Sequence, residues 1–504
     1  MSKIVVLGAG VSGLAAGLLL RRDGHEVTVL ERDSDPVPSS PEEAWERWSR
    51  GGVSQFRLAH YLTPRGRIVL EEALPDVLAA LEAAGGIAFD PLPMMPPSIT
   101  DRVPRDGDDR FRTVTARRPV FEQVLARAAD AEPGLDVRRG VSVAELVLRG
   151  GNGTPHVTGV RTESGEKLDA DLIVDAMGRR SQLPHWLESA GTKLVHEEAE
   201  DSGFIYYSRF FRATSAGMPE YRAPLLMPIG TFSLLTLPSD NDTWSVTVYT
   251  SAGDRPLKRL RDTGPWTAVV GACPLHAQWL AGEPISDIFA MGGILDRYRR
   301  LIVDGKAVAT GVALLGDSWT CTNPSLGRGM TFGLLHAQRL AEVVRTHPDD
   351  PNEFAEAWDA VTEAELTPWY RETVEEDRAR INQIEALRHG REAAPEPGSM
   401  PWLQGALLAA VPQDPDAFRA FLANRCCLSL KREIFEDASF MERIFDLARG
   451  SEPPALAGPD RDEVVAASTA AGRGPSALAR WRAIVRPAPP GKVRCRKRQQ
   501  DVAR

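Results

Sequence analysis

"KIVVLGAGVSGLAAGLLLRRDGHEVTVLERD", Lys3 to Asp33, decides the fold. A β-branched run ends in glycine, a stretch of helical periodicity follows with Gly24 as its stop, and "HEVTVLERD" reads as a second strand. That is a βαβ unit. "GAGVSG" sets Gly8, Gly10 and Gly13 at the strand-to-helix turn, and Glu31 ends the second strand 18 residues after Gly13, near the roughly 20 expected of an acid that holds a ribose. Gly8 makes the turn, Gly10 lets a pyrophosphate approach the helix N-terminus at Val11 and Ser12, and Gly13 allows helix and strand to pack closely. Arg32 stands beside the acid. The unit therefore binds a dinucleotide, and by itself it does not separate NAD from FAD.

Outward from this unit, 504 residues are enough for two or three structural units and an enclosed large ligand. The net charge of -9 is mixed rather than blocked, which argues against nucleic acid as a partner. Five cysteines, with Cys426 and Cys427 adjacent and no CxxC, point to a reducing, cytoplasmic setting and to no metal. Glycines interrupt the apolar N-terminus, and Arg21-Arg22 follow the apolar part, so neither a secretory signal nor a membrane span is expected.

Along the chain, Ser34 to Gln55 reads as loop, "PRGRIVLEEALPDVLAALEAAG" as helix, Asp90 to Arg112 as extended or looped, and "RRPVFEQVLARAAD" as helix. "LDVRRGVSVAELVLRG" and "VTGVRTESGEKLDADLIVDAMG" alternate like a meander that returns to a buried strand. From Asp201 to Ser251 the text is strand-like and aromatic, suggesting a separate sheet domain with Tyr206, Tyr207, Arg209, Phe210 and Trp244 as pocket candidates. Helical text is expected over Pro265 to Arg300 and again from His347. Beyond Ser451 the Pro- and Ala-rich chain, ending in the basic "GKVRCRKRQQDVAR", reads as a loosely ordered tail.

A second site lies in "AVATGVALLGDSWTCTNPSLGRGM". Its strand delivers Gly316 and Asp317 to a helix start, where a carboxylate could accept hydroxyl bonds from a ribityl chain. "PSLGRGM" ends at the N-terminus of the next helix, whose dipole favours the negative charge that a reduced isoalloxazine carries.

With "GAGVSG…E", "DLIVDAMGRRS" and "GDSWTCTNPSLGRGM" together, the sequence resembles the class A flavoprotein monooxygenases of the para-hydroxybenzoate hydroxylase fold, from Met1 to about Val344. The resemblance implies an α/β fold: a Rossmann-like FAD-binding domain of the glutathione reductase type, an inserted β-sheet substrate domain and a helical C-terminal region. Boundaries are expected at 1–180 for the first FAD part, with a substrate-side insertion near 75–112, then 181–300 for the sheet domain, 301–345 for the second FAD part, 346–450 for the helical region and 451–504 for the tail. "RRPVFEQVL" is similar to the family's helix whose arginine touches the cofactor, which points to Arg118 with Phe121 and Leu125 as apolar partners. "QFRLAHYLTPRGR" is similar to the segment with an arginine near the flavin, which points to Arg57, with Gln55 and His60 as neighbours.

The resemblance also sets the backbone from Pro324 to Met330 against the flavin, with the Pro324 carbonyl near the reacting oxygen and the Gly327, Gly329 and Met330 amides near N1 and O2. It implies non-covalent FAD, NAD(P)H as a transient reductant, and one atom of O2 passed through a C4a-(hydro)peroxyflavin to a lipophilic organic substrate by hydroxylation or epoxidation. Tyr206, Arg209 and Trp244 are the substrate-side residues, a secondary metabolite the expected class, and a homodimer stays open. The middle motif departs from the hydroxylases, which bears on NAD(P)H docking, and it looks more like the branch that includes bacterial polyketide polyene epoxidases. Trp45 and Trp48 lack the spacing of flavin-dependent tryptophan halogenases. The same residues admit an FAD-dependent reductase or dehydrogenase, or a non-catalytic FAD-binding protein, because fold alone does not choose between them.

Overall fold

The structure, a computed structural model, describes residues 1–150, 154–347, 350–391, 395–449 and 458–470. Its organising layer is a parallel five-stranded sheet. The apolar run Lys3–Leu7 forms β1 at its centre, followed by α1 (Val11–Arg22) and β2 (Glu26–Glu31). Helix α2 (Arg118–Ala131) leads into β3 (Leu135–Arg139), and β4 is Leu172–Asp175. The order is β3, β2, β1, β4 and then Val312–Leu314, with all neighbours parallel. Four carboxyl ends, at Leu7, Glu31, Asp175 and Leu314, therefore meet along one edge, where open α/β sheets bind ligands.

The turn after β1 requires its glycines. Gly8 has φ +106°, and a Cβ there would meet the Ala176 carbonyl, while a Cβ at Gly13 would collide with the Gly8 oxygen. Gly10 instead faces open space.

The aromatic text forms an antiparallel sheet: β5 (Phe204–Arg212), β6 (Phe232–Ser239) and β7 (Thr243–Ser251), with shorter strands at its edges. Helix Thr263–Gly271 covers one face, and Trp244, Trp266 and Trp279 are buried there. The helical expectation for Pro265 to Arg300 fails after Gly271. Leu295–Arg300 is a strand, β8, antiparallel to His196–Asp201, with Glu197 taking both Arg299 (2.6 Å) and Arg297 (3.4 Å). Arginine favours helix locally, but cross-strand charge pairing and the Gly292-Gly293 break prevail. Two smaller differences follow from proline and capping. Pro75 splits the expected helix into Pro64–Ala73 and Pro75–Ala83, and Ser40 caps a short helix, Pro41–Glu46, inside the expected loop.

After β9 (Val312–Leu314) comes α3 (Gly329–Thr346), packed on α1, and then the long C-terminal helix α4 (Thr367–Arg388) with its neighbours. Part of the expected loose tail is ordered. Arg461–Ala470 is a helix that buries Val464 and Ala467 in the tryptophan core, and Arg461 pairs with Asp254. The basic "GKVRCRKRQQDVAR" lies outside the described residues. Among the described residues no helix is long and apolar enough to cross a membrane.

Candidate functional site

One cavity of about 380 Å³ runs from the turn after β1 to the face of the antiparallel sheet. At its nucleotide end lie Gly8, Gly10, Val11 and Ser12, with Glu31 and Arg32 at the end of β2. The α1 N-terminus has no side-chain cap, so its first N–H groups are free for an anion. Glu31 is fixed rather than loose. Its carboxylate accepts from the Ala9 and Asp33 N–H groups, both at 2.9 Å, and from Arg50 at 2.7 Å. Arg50, absent from the sequence reading, also reaches Asp33 (3.2 Å) and Glu122 (3.1 Å), which makes it the hub of this end. Its only sequence signal is a charged residue in "WSRGG", a stretch too poor in pattern to reveal burial.

In the middle, the chain leaves β9 through Gly316, φ +61°, where a Cβ would strike Ser12 Oγ. Asp317 follows and opens onto the cavity, with no hydrogen-bond partner for its carboxylate among the described residues. Burial raises its pKa, while Arg118 and Arg179 act to lower it. Arg118 also lines the cavity; its Nε donates to Glu122 at 2.6 Å and its Nη1 to His60 Nε2 at 3.0 Å. His60 Nδ1 faces the Leu58 carbonyl at 3.0 Å, so Nδ1 carries the hydrogen and Nε2 accepts. Burial and Arg118 push this imidazole down to about 3, which keeps it neutral. Gln55 is present too, whereas Arg57 is turned away, donating to the Trp48 carbonyl at 2.9 Å and lying over the Trp45 ring.

The middle motif has a structural task. Buried Asp175, pushed up to about 6 by desolvation, accepts from Ser181 Oγ and the Met177 N–H, shaping the turn that brings Arg179 to the cavity.

Pro324, Gly327, Gly329 and Met330 form one wall. Gly327 is left-handed (φ +67°), a Cβ at Gly329 would meet nothing, and α3 starts there without a side-chain cap. Arg328, the charge inside this loop, points away. It is 1 % exposed, bonds Glu372 (3.0 Å) and Thr373 (2.9 Å), and lies over Trp369.

At the sheet end the pleat sorts the candidates. Tyr206 and Ser208 of β5 line the cavity with Leu235, Thr247, Met291 and Ile294. Residues one position out of phase face the other side. Tyr207 and Trp244 are in the tryptophan core, where Trp244 Nε1 donates to the Trp279 carbonyl at 2.9 Å, and Arg209 lies over Phe211. Phe210 packs against Trp45. Thus Tyr206 reaches the cavity, and Arg209 and Trp244 do not.

These residues suit FAD: an uncapped helix end beside an open Gly10 for the pyrophosphate, Glu31 for a ribose, and an unpartnered carboxylate at Asp317 for further hydroxyls.

Comparison with known proteins agrees. The FAD binding domain family matches residues 1–200. Protein Rv3254 of Mycobacterium tuberculosis is 26% identical over 363 residues, covering 68% of this chain and 72% of that protein. Kynurenine 3-monooxygenase of Salinispora tropica is 29% identical over 202 residues, 37% of this chain and 39% of the enzyme. Among solved structures, that of pqsL from Pseudomonas aeruginosa, described as a probable FAD-dependent monooxygenase, shares the fold with a TM-score of 0.56 at 18% identity, covering 77% of this chain and 97% of pqsL. Residues 1–200 thus match the FAD binding domain family, and the chain is similar in sequence to a flavoprotein monooxygenase over part of its length and shares the fold of pqsL.

Proposed function

We propose that this protein is an enzyme that holds FAD without a covalent bond and inserts one oxygen atom of O2 into a lipophilic organic substrate, by hydroxylation or epoxidation. The observation that carries the reading is the continuity of the cavity from the dinucleotide turn, past the Pro324–Met330 wall, to the apolar and hydroxylated face of the antiparallel sheet. When bound, FAD supplies the redox chemistry, taking electrons from NAD(P)H and activating O2. The chain's own residues bind, orient and exclude water. Glu31 and the α1 N-terminus hold the nucleotide, Asp317 holds the ribityl hydroxyls, and the backbone of Gly327, Gly329 and Met330 stabilises negative charge on the reduced ring. Pro324 walls the reacting position. All charged lining residues sit toward the nucleotide and middle parts, while Tyr206, Ser208, Leu235, Thr247, Met291 and Ile294 are uncharged, which favours a neutral substrate.

The test is labelled O2. Purified protein should be yellow and release free FAD on denaturation, and with NAD(P)H and its substrate it should place one labelled oxygen in the product. Flavin reduction and turnover with no label in the product would transfer the assignment to a reductase or dehydrogenase.

A further inference from the structure

The loop around Pro324 is held from behind by a carboxyl group outside the FAD-binding domain. Asp377, on α4, is 3 % exposed, and its Oδ1 accepts from two loop side chains, Asn323 Nδ2 at 2.9 Å and Ser325 Oγ at 2.7 Å. The two donors stand on either side of Pro324. Asn323 has further links: its N–H donates to Asp296 Oδ1 at 2.6 Å, and its Oδ1 accepts from the Tyr206 hydroxyl at 2.8 Å. Tyr206 is on the cavity wall at the substrate end. We propose that Asp377 is a positioning residue whose carboxyl fixes both residues flanking Pro324 and, through Asn323, ties that wall to Tyr206. This rests on the reading that the Pro324 wall lies against FAD.

The clamp has a protonation state built into it. Asp377 Oδ2 is buried with no hydrogen-bond partner among the described residues. The groups that bear most strongly on Asp377 are acidic or neutral, Asp296 from β8, Tyr206 from β5 and Tyr249 from β7, with Glu376 on its own helix, while Arg378 and Arg380 act on Asp296 and Tyr249. Glu376 is already occupied by Arg425 (2.5 Å) and Lys431 (2.7 Å). Burial, with Asp296 adding to it, pushes Asp377 up to about 8, so at neutral pH it is a carboxylic acid whose Oδ1 still accepts both donors. Ionisation puts an uncompensated charge directly behind the Pro324 wall.

Asp377→Asn keeps a neutral group with an acceptor oxygen, whereas Asp377→Ala removes the clamp. The wild-type protein should show an infrared carboxylic-acid band that titrates near pH 8 and is absent in the Asn variant. Bound FAD should show an absorbance change with the same titration in wild type and none in the Asn variant. FAD affinity should fall about tenfold in Asp377→Ala, the scale of one to two lost hydrogen bonds, and stay within about twofold in Asp377→Asn. Should the Ala variant fail to fold, Ser325→Ala, which removes one donor, should weaken FAD binding severalfold and shift the carboxyl titration. An Asn variant that keeps the wild-type titration, or alanine at both positions leaving FAD affinity and spectrum unchanged, overturns the clamp. A wild-type protein that takes up no FAD defeats the monooxygenase reading instead, and the carboxyl band with its shift in Ser325→Ala then judges the clamp alone.

Discussion

Arg50 shows how one side chain can set a site without touching the chemistry. Its guanidinium satisfies Glu31, Asp33 and Glu122 while only 8 % exposed, so removing it strands buried carboxylates. Breaking a buried pair costs roughly 3–5 kcal/mol, and Arg50→Ala should lower the melting temperature and loosen FAD together. Arg57→Ala is the control, because Arg57 is half-buried against Trp45 and Trp48, off the cavity. Equal loss of FAD affinity in both variants would contradict this arrangement. Asp317 is the converse case, a cavity-lining carboxyl with no hydrogen-bond partner among the described residues, which the proposed function assigns to the ribityl hydroxyls. A charged acceptor contributes roughly 1.5–3 kcal/mol, so Asp317→Ala should weaken FAD binding about 10- to 150-fold in equilibrium titration, with little change in the melting of the FAD-free protein. Asp317 was legible in sequence because a strand, a glycine and a helix start announce it. Arg50 was not, since its three partners come from β2, the loop after it and α2, and nothing local records that convergence.

At the scale of elements, legibility follows period. β1, α1 and β2 could be read because an unbroken apolar run, a helical repeat and a glycine fingerprint coincide there. The aromatic strand β5 could be read as a strand, yet choosing pocket residues by type failed where phase would have succeeded, as Tyr206 and Ser208 share the cavity face while Tyr207 and Arg209 do not. Leu295–Arg300 misled because its strand character depends on a partner nearly 100 residues away. The Pro324–Met330 loop is the element where local geometry should decide the outcome of the reaction. Gly327 has φ +67°, so Gly327→Val is strained in backbone, while a Cβ there would make ordinary contact with Tyr61 at 3.6 Å. On the proposed reading the pyrophosphate and ribityl contacts lie elsewhere, so this variant should still take up FAD, with an affinity lowered no more than about tenfold, consume NAD(P)H, and release hydrogen peroxide in place of oxygenated product. Product yield per NAD(P)H that matches wild type would show that the loop does not govern the oxygen.

For the molecule as a whole, the pH dependence of stability separates two sets of buried groups. His60, His276 and His336 are held neutral by burial, at about 3, 4 and 3. In the unfolded chain they take up protons around the ordinary 6.5, so they reduce stability as pH falls through that value and fade over about one unit above it. Buried carboxyls run the other way. Asp175 and Asp296, each at about 6, and Asp377, at about 8, keep protons that the unfolded chain has released, so each stabilises the fold at low pH and loses that contribution as pH rises toward its folded value. Below 6.5 the two sets oppose each other. Between 6.5 and 8 the unfolded histidines and the carboxyls near 6 complete their titration, while the carboxylates held low by surface arginines, such as Glu198 at about 2, finished long before. Asp377 titrates in the fold within this window, and because buried Asp317 is raised as well, the contribution of Asp377 is read as the difference between wild type and a variant that lacks its carboxyl. Relative to Asp377→Asn, the FAD-free wild-type protein should therefore lose stability as pH rises from 6.5 to 8, with a slope of at most roughly 1.4 kcal/mol per pH unit for one proton. Asp377→Asn should remove that contribution over the whole span from the ordinary carboxyl value, 3.8, to about 8. Melting curves of both proteins at half-unit pH steps decide it: a difference between wild type and Asp377→Asn that stays level across this window would mean that Asp377 is ionised in the fold and that the wall behind Pro324 is held by a charge.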